Sequence, residues 1–187
     1  MFNQNTPTQG SLLVSEPFIL DPNFERSVIM LCEHNQDGTI SLVLNHRSNL
    51  FLSDIIENTT NGKFPMYIGG PVQNDALFFL HCTPEKISGS LPITQDIFWG
   101  GDLEHVIFLI QENLINPQEI KFFLGYSGWS PNQLEDELLQ NSWAVHNSFV
   151  STLPFLSDGE DLWKQALISL GPKYAHVANF PKSPYLN

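Results

Sequence analysis

The chain has 187 residues, 42% of them hydrophobic and 15% charged, and its eight Lys and Arg against 20 Asp and Glu give a formal net charge of −12. That length supports a core without covalent staples, and two cysteines make no disulfide framework, so Cys32 and Cys82 read as reduced, buried thiols. The acidity and the absence of any Lys/Arg run disfavour direct nucleic-acid binding, which draws on clustered cations displacing counterions. Met1 to Gly10 lacks the charged and apolar regions of a signal peptide. No apolar run approaches the ~20 residues that span a bilayer, so the expected location is the cytoplasm.

Residues 1–9 read as a flexible polar lead-in, and residues 10–187 as a single domain. Gly10 to Ser15 is a short strand pattern, broken by Pro17 and Asp21-Pro22. Ser27-Val-Ile-Met-Leu-Cys32 is a continuous apolar run, the pattern of a strand buried on both faces. Asn35-Gln-Asp-Gly38 is hairpin-turn chemistry, and Thr39 to Leu44 returns. Ser53 to Glu57 reads as a short helix capped by Ser53. Gly69-Gly-Pro71 forces a turn, and Ala76 to His81 is a strand. Shorter strand pieces fall between Leu91 and Trp99. Asp102 caps a helix over Leu103–Asn113, with Val106, Ile107 and Ile110 on one face. Ile120 to Gly125 is a further strand. Ser130-Pro-Asn-Gln133 and Ser157-Asp-Gly-Glu160 both have the spacing of a capping box. The second opens a helix that Gly171-Pro172 stops, after which the tail from Tyr174 reads as irregular chain across the surface. Strand hairpins mixed with helices, without strict alternation, indicate an α+β (mixed α/β) fold with largely antiparallel strands.

Several segments in order resemble the AlgH/YqgE family of bacterial proteins. They are Gly10-Ser-Leu-Leu-Val-Ser-Glu-Pro17, Asp21-Pro-Asn-Phe-Glu-Arg-Ser-Val28, His34 with Gly38, Leu42-Val-Leu-Asn45, Gly69-Gly-Pro-Val72, and Gly125-Tyr-Ser-Gly-Trp-Ser-Pro-Asn-Gln-Leu-Glu-Asp-Glu-Leu138 followed by Trp143. Each is weak alone, and the ordered set is specific. The resemblance implies a branched β-sheet with a small barrel-like part, flanked by helices. It also carries a transcriptional-regulator label that rests on a genetic association, and it supplies no catalytic residue or cofactor. Two positions depart from the family pattern: Ser41 stands where Gly is usual, and His46 where Lys or Arg is common.

The sequence offers four chemical constellations. Arg26 with Asp21 makes either a bidentate pair pinning a turn or an anion-binding guanidinium. Cys32, His34, His81 and Cys82 match no standard zinc spacing. Gly69-Gly and Gly100-Gly lack the Gly-Lys-Ser/Thr of a phosphate loop. Gly125-Tyr-Ser-Gly-Trp129 places its second Gly one position early for a nucleophile elbow, which weakens a serine hydrolase using Ser127 and His146. The strand-to-helix junction is then the best candidate site, since helix N-termini after strands bind ligands. The candidate ligand-binding residues are Arg26, His34, Asn45, Trp129, Gln133 and Glu135. Against this, Trp129 also suits a core role and Gln133 a capping role. The resulting expectation is a regulatory or binding protein without cofactor or metal, acting through a protein partner or a small ligand. The alternative is a hydrolase with a site near His34 and Trp129–Glu135, which requires Arg26, His34 and Glu135 to share a cleft.

Overall fold

The computed structural model describes residues 5–60 and 63–182. The elements are β1 (Leu12–Ser15), β2 (Val28–Asn35), β3 (Gly38–Val43), β4 (Arg47–Phe51), β5 (Pro65–Ile68), β6 (Val72–His81), β7 (Leu91–Pro92), β8 (Phe98–Trp99), α1 (Leu103–Gln111), β9 (Ile120–Trp129), α2 (Gln133–Leu139), β10 (Trp143–His146), α3 (Leu153–Leu156), α4 (Gly159–Ser169) and α5 (Pro172–Ala175).

All ten strands join one sheet in the order β10-β1-β2-β3-β9-β6-β8-β7, with β5 and β4 branching from β9. β9 is the fork. Its first half (Phe122–Leu124) pairs in parallel with β5, while its second half (Ser127–Trp129) pairs antiparallel with β3. β6 runs along its other edge, from Val72↔Tyr126 to His81↔Ile120. The expected branching and largely antiparallel pairing are therefore present. The expected barrel-like part is corrected to an open sheet: β10 and β7 stand at opposite ends of the strand path and do not pair with each other.

Gly125 sits where β9 forks. Its φ is +69°, and a Cβ there would lie 2.6 Å from Gly70 O and 2.9 Å from Val72 O. Both the left-handed backbone and the crowding penalise any side chain. Gly125→Ala is expected to lower unfolding stability by at least about 2 kcal/mol in urea denaturation. A loss below about 0.5 kcal/mol, the size of a neutral surface change, would show that the fork does not depend on this glycine.

β2 has the apolar run expected of a doubly covered strand, and Val28 through Cys32 are all fully buried. Alternation sends Val28, Met30 and Cys32 to one face, where Leu162, Trp163, Ala166 and Leu167 of α4 cover them. Ile29 and Leu31 go to the other, against Trp129, Leu134 and Trp143. A third cluster packs Val106, Leu109 and Ile110 of α1 onto Phe64, Met66, Phe79 and Phe122. The buried face of α1 thus uses Leu109, and Ile107 is only partly covered.

Four local expectations change. The short helix from Ser53 is a single 3-10 turn, Leu52–Asp54, in which Asp54 accepts from Phe51 N at 2.8 Å. In the Ser130 box only the return bond forms, Ser130 N donating to Gln133 Oε1 at 3.0 Å. Asn132 is left-handed at φ +67°, so α2 begins at Gln133 and not at Pro131. In the Ser157 box, Ser157 Oγ turns to Gln165 (3.2 Å) and Glu160 turns to cations elsewhere. Between residues 172 and 182 the chain is not simply laid across the surface: Tyr174 and Ala178 are buried in the same core as α4, and the rest of the tail lies outside the described residues.

Candidate functional site

The structure divides the sequence candidates into two groups at opposite ends of β2. Arg26 precedes the strand and His34 lies near its end. Eight residues at about 3.3 Å each put them roughly 26 Å apart. Arg26, His34 and Glu135 therefore share no cleft, and the hydrolase arrangement that required one is not formed.

At the hairpin end, β2 and β3 turn through Gln36 and Asp37, with Asp37 N donating to Asn35 Oδ1 at 2.8 Å. β3 then pairs Thr39↔Trp129, Ile40↔Gly128 and Ser41↔Ser127 with β9. A groove of about 470 Å³ lies across this junction, between the hairpin and the chain entering α2. Its lining includes Glu33, Asp37, Thr39, Tyr126, Trp129 and Ser130, and no Lys or Arg. Gly38 permits the close approach: a Cβ there would stand 2.4 Å from Trp129 O.

His34 shares a hydrogen bond with Thr39 (Nδ1–Oγ1 2.7 Å), and its Nε2 lies 3.8 Å from Glu135 Oε1. The pair flanks the groove, and neither residue lines it. Trp129 is 5% exposed, stacked on Phe24 at 5.9 Å and edge-on to Trp143 at 6.0 Å. Its ring is core, and Gln133 is committed to Ser130 N and Glu137. Both candidates thus perform the structural roles weighed against them.

At the other end, Arg26 does not pair with Asp21. Asp21 instead caps the turn at Pro22–Phe24 by accepting from Asn23 N at 2.9 Å. Arg26 pairs with Glu160, donates to Phe180 O at 2.6 Å and lies 4.7 Å from the Trp163 ring centroid. Asn45 accepts from Val28 N (2.9 Å) and donates to Arg26 O and Gly159 O (both 2.8 Å). It is a buried clasp between β2, the end of β3 and α4. The departure at His46 fits here. Its Nε2 donates to Glu25 O at 2.9 Å, and burial pulls its pKa down, with Glu25 opposing.

The hydrolase and zinc constellations come apart. Ser127 Oγ is buried and donates to Gly69 O at 3.1 Å, while His146 pairs with Ser169 at 2.7 Å. Cys32 and His34 on β2 are separated by β3 and β9 from His81, which ends β6, and from Cys82 after it, at least about 14 Å at normal strand spacing. Burial also pushes both thiols up, with Glu33 adding to Cys32 and Glu119 to Cys82, so neither is an activated nucleophile.

One functional group escaped the sequence reading. Lys121 interrupts an apolar strand and is 4% exposed. Its Nζ donates to Leu44 O (3.1 Å) and Ser157 O (3.0 Å) and lies 4.6 Å from the Tyr67 ring centroid. Burial pulls its pKa down to about 7, with Asp158 opposing. The signal was present: a lone Lys inside Ile-Lys-Phe-Phe must find partners if the strand is buried. The partners themselves come from residues 77 and 36 positions away and could not be read.

An open branched sheet with helices on its faces, carrying an acidic hairpin groove, defines an α+β fold. The chain belongs to the AlgH-like family, DUF179, whose model matches residues 12–175. It is 40% identical over 181 residues to a UPF0301 protein of Cytophaga hutchinsonii, covering 96% of this chain and 99% of that one. It is 38% identical to a UPF0301 protein of Bacteroides thetaiotaomicron, covering 99% and 94%. Among solved structures, the AlgH protein of Pseudomonas aeruginosa matches with TM-score 0.71 at 28% identity, covering 96% of this chain and 98% of that one. A Corynebacterium diphtheriae protein shares the fold with TM-score 0.79 at 20% identity, covering 96% and 95%. No helix among the described residues is long and apolar enough to cross a membrane.

Proposed function

We propose that the chain is a binding protein of regulatory type whose hairpin groove takes a small cationic or amide-donor ligand. The observation that carries this reading is the lining itself. The groove combines the carboxylates of Glu33 and Asp37 with the hydroxyl of Thr39 and the ring of Tyr126, and no cation neutralises the acids from within. Carboxylates beside an aromatic ring favour guanidinium and ammonium groups. A regulatory effect on transcription is then indirect and ligand-linked, because a chain of net charge −12 repels a phosphate backbone. The expected location for such a protein is the cytoplasm.

The test is a titration with agmatine and spermidine, followed by amide NMR shifts and thermal unfolding. Binding is expected to move resonances of Glu33, Asp37, Thr39 and Ser130. The double variant Glu33→Gln/Asp37→Asn is expected to weaken it about tenfold or more, the loss of two charge-assisted contacts. An unchanged affinity in that variant, or no saturable shift with any cation, rejects the groove as a cation site.

A further inference from the structure

Folding undoes the scatter of positive charge along the sequence. Five of the eight basic residues meet at the entrance to α4. Arg26, Lys164 and Lys182 all pair with Glu160, the two lysines at 3.1 and 3.4 Å. Arg47 pairs with Asp158 at 3.6 Å, and Lys121 holds Ser157 O. Burial raises the Glu160 carboxyl, and Lys164, Arg26 and Lys182 outweigh that effect, so it stays ionised below its usual range.

A cavity of about 180 Å³ is lined by Glu25, Arg26, Asn45, His46, Gly159, Glu160 and Lys182. Two cations, Arg26 and Lys182, thus face two carboxylates there, and Lys164 reaches Glu160 from outside the lining. Arg26 is 5% exposed, yet its Nε is buried with no acceptor. An orphaned donor on a buried guanidinium is uncommon and calls for an acceptor. α4 adds the positive end of an 11-residue helix without a side-chain cap, although its first N–H, that of Gly159, already donates to Asn45 O at 2.9 Å.

We propose that this cavity binds a small oxyanion of the phosphate type, held by Arg26 and Lys182 at the start of α4. In the free protein Glu160 occupies these donors with two oxygens. An oxyanion with three or four oxygens uses more of them, including the one Arg26 leaves over. The cavity holds several waters' worth of space, enough for a group of a few heavy atoms. The site lies at the opposite end of β2 from the hairpin groove and stands independently of it.

Inorganic phosphate is titrated into ¹⁵N-labelled protein at constant ionic strength, with chloride as the filler and acetate as a parallel ligand. The expected result is a saturable shift of the Arg26 Nε–H and the Gly159 and Glu160 amides, with phosphate tighter than acetate. Lys182→Ala, at an exposed position that leaves the core untouched, is expected to weaken phosphate about 3- to 10-fold. Glu160→Gln removes the internal competitor and is expected to tighten it. Glycerol 3-phosphate in a third arm ranks esterified against free phosphate, and either order supports the site. Absence of a saturable shift, acetate binding as tightly as phosphate, or weaker phosphate binding in folded Glu160→Gln overturns it.

Discussion

Asn45→Ala is expected to cost about 3–5 kcal/mol of unfolding stability, well beyond an ordinary substitution. The side chain is 2% exposed and satisfies three backbone groups: Val28 N, Arg26 O and Gly159 O. Alanine supplies neither donor nor acceptor, and the bonds to Val28 N and Arg26 O are buried. Each orphaned group contributes about 1–3 kcal/mol, less for Gly159 O, which also stands at the start of a helix. Asn45→Asp separates hydrogen bonding from volume. It keeps the acceptor for Val28 N but points a carboxylate at two carbonyl oxygens. Its cost at neutral pH is expected to match that of alanine, with partial recovery toward pH 5 as a protonated carboxyl donates one bond. Urea denaturation of both variants decides this. An alanine cost under about 1 kcal/mol would mean that the clasp is not structural.

The second large effect is a pH dependence centred on Lys121. Its folded pKa of about 7 lies below the ordinary lysine value of 10.5. Above pH 7 the unfolded chain therefore keeps a proton that the folded chain has released. By linkage, stability rises with pH in that window, by about 1.5 kcal/mol between pH 7 and pH 8.5. Cys32 and Cys82, whose pKa values burial raises, act in the opposite sense once free thiols ionise near pH 9, so the window closes there. Lys121→Met is expected to flatten the slope and to leave Leu44 O and Ser157 O without their donor. Its cost should then grow from pH 7 to pH 8.5, reaching about 2–4 kcal/mol. A wild-type slope that persists in the methionine variant would place the titration elsewhere.

What the sequence made legible follows from the range of each interaction. The β2–β3 hairpin was readable because Asp37-Gly38 and the flanking apolar runs act over a few residues. The cap at Asp102, whose carboxylate accepts from His105 N at 3.2 Å, is equally local. The Ser130 spacing half misled because the left-handed Asn132 delays the helix to Gln133, and the Ser157 spacing misled because distant cations claimed Glu160. Glu160 had an arginine 134 residues away to neutralise, a stronger demand than one backbone N–H. Likewise, Asp21 lost Arg26 to Glu160 and kept only its own turn. The candidate site was half legible. The junction at Trp129–Ser130 does border a groove, but the acids opposite it come from the hairpin. The basic cluster was invisible, since no pair of its members is close in sequence except Glu160 and Lys164.

The pairing of β1 with β10 has a consequence for synthesis. Leu12–Ser15 leaves the ribosome well before Trp143–His146, its partner on one edge. Until those residues emerge, one side of β1 offers unpaired backbone to any extended chain nearby. Its other edge can zip to β2 early. The nascent protein thus passes through a state with a half-formed sheet and an open apolar margin, dependent on late, long-range closure. A folding assistant that shields exposed strands would act in that interval, and slowing translation before Trp143 would lengthen it.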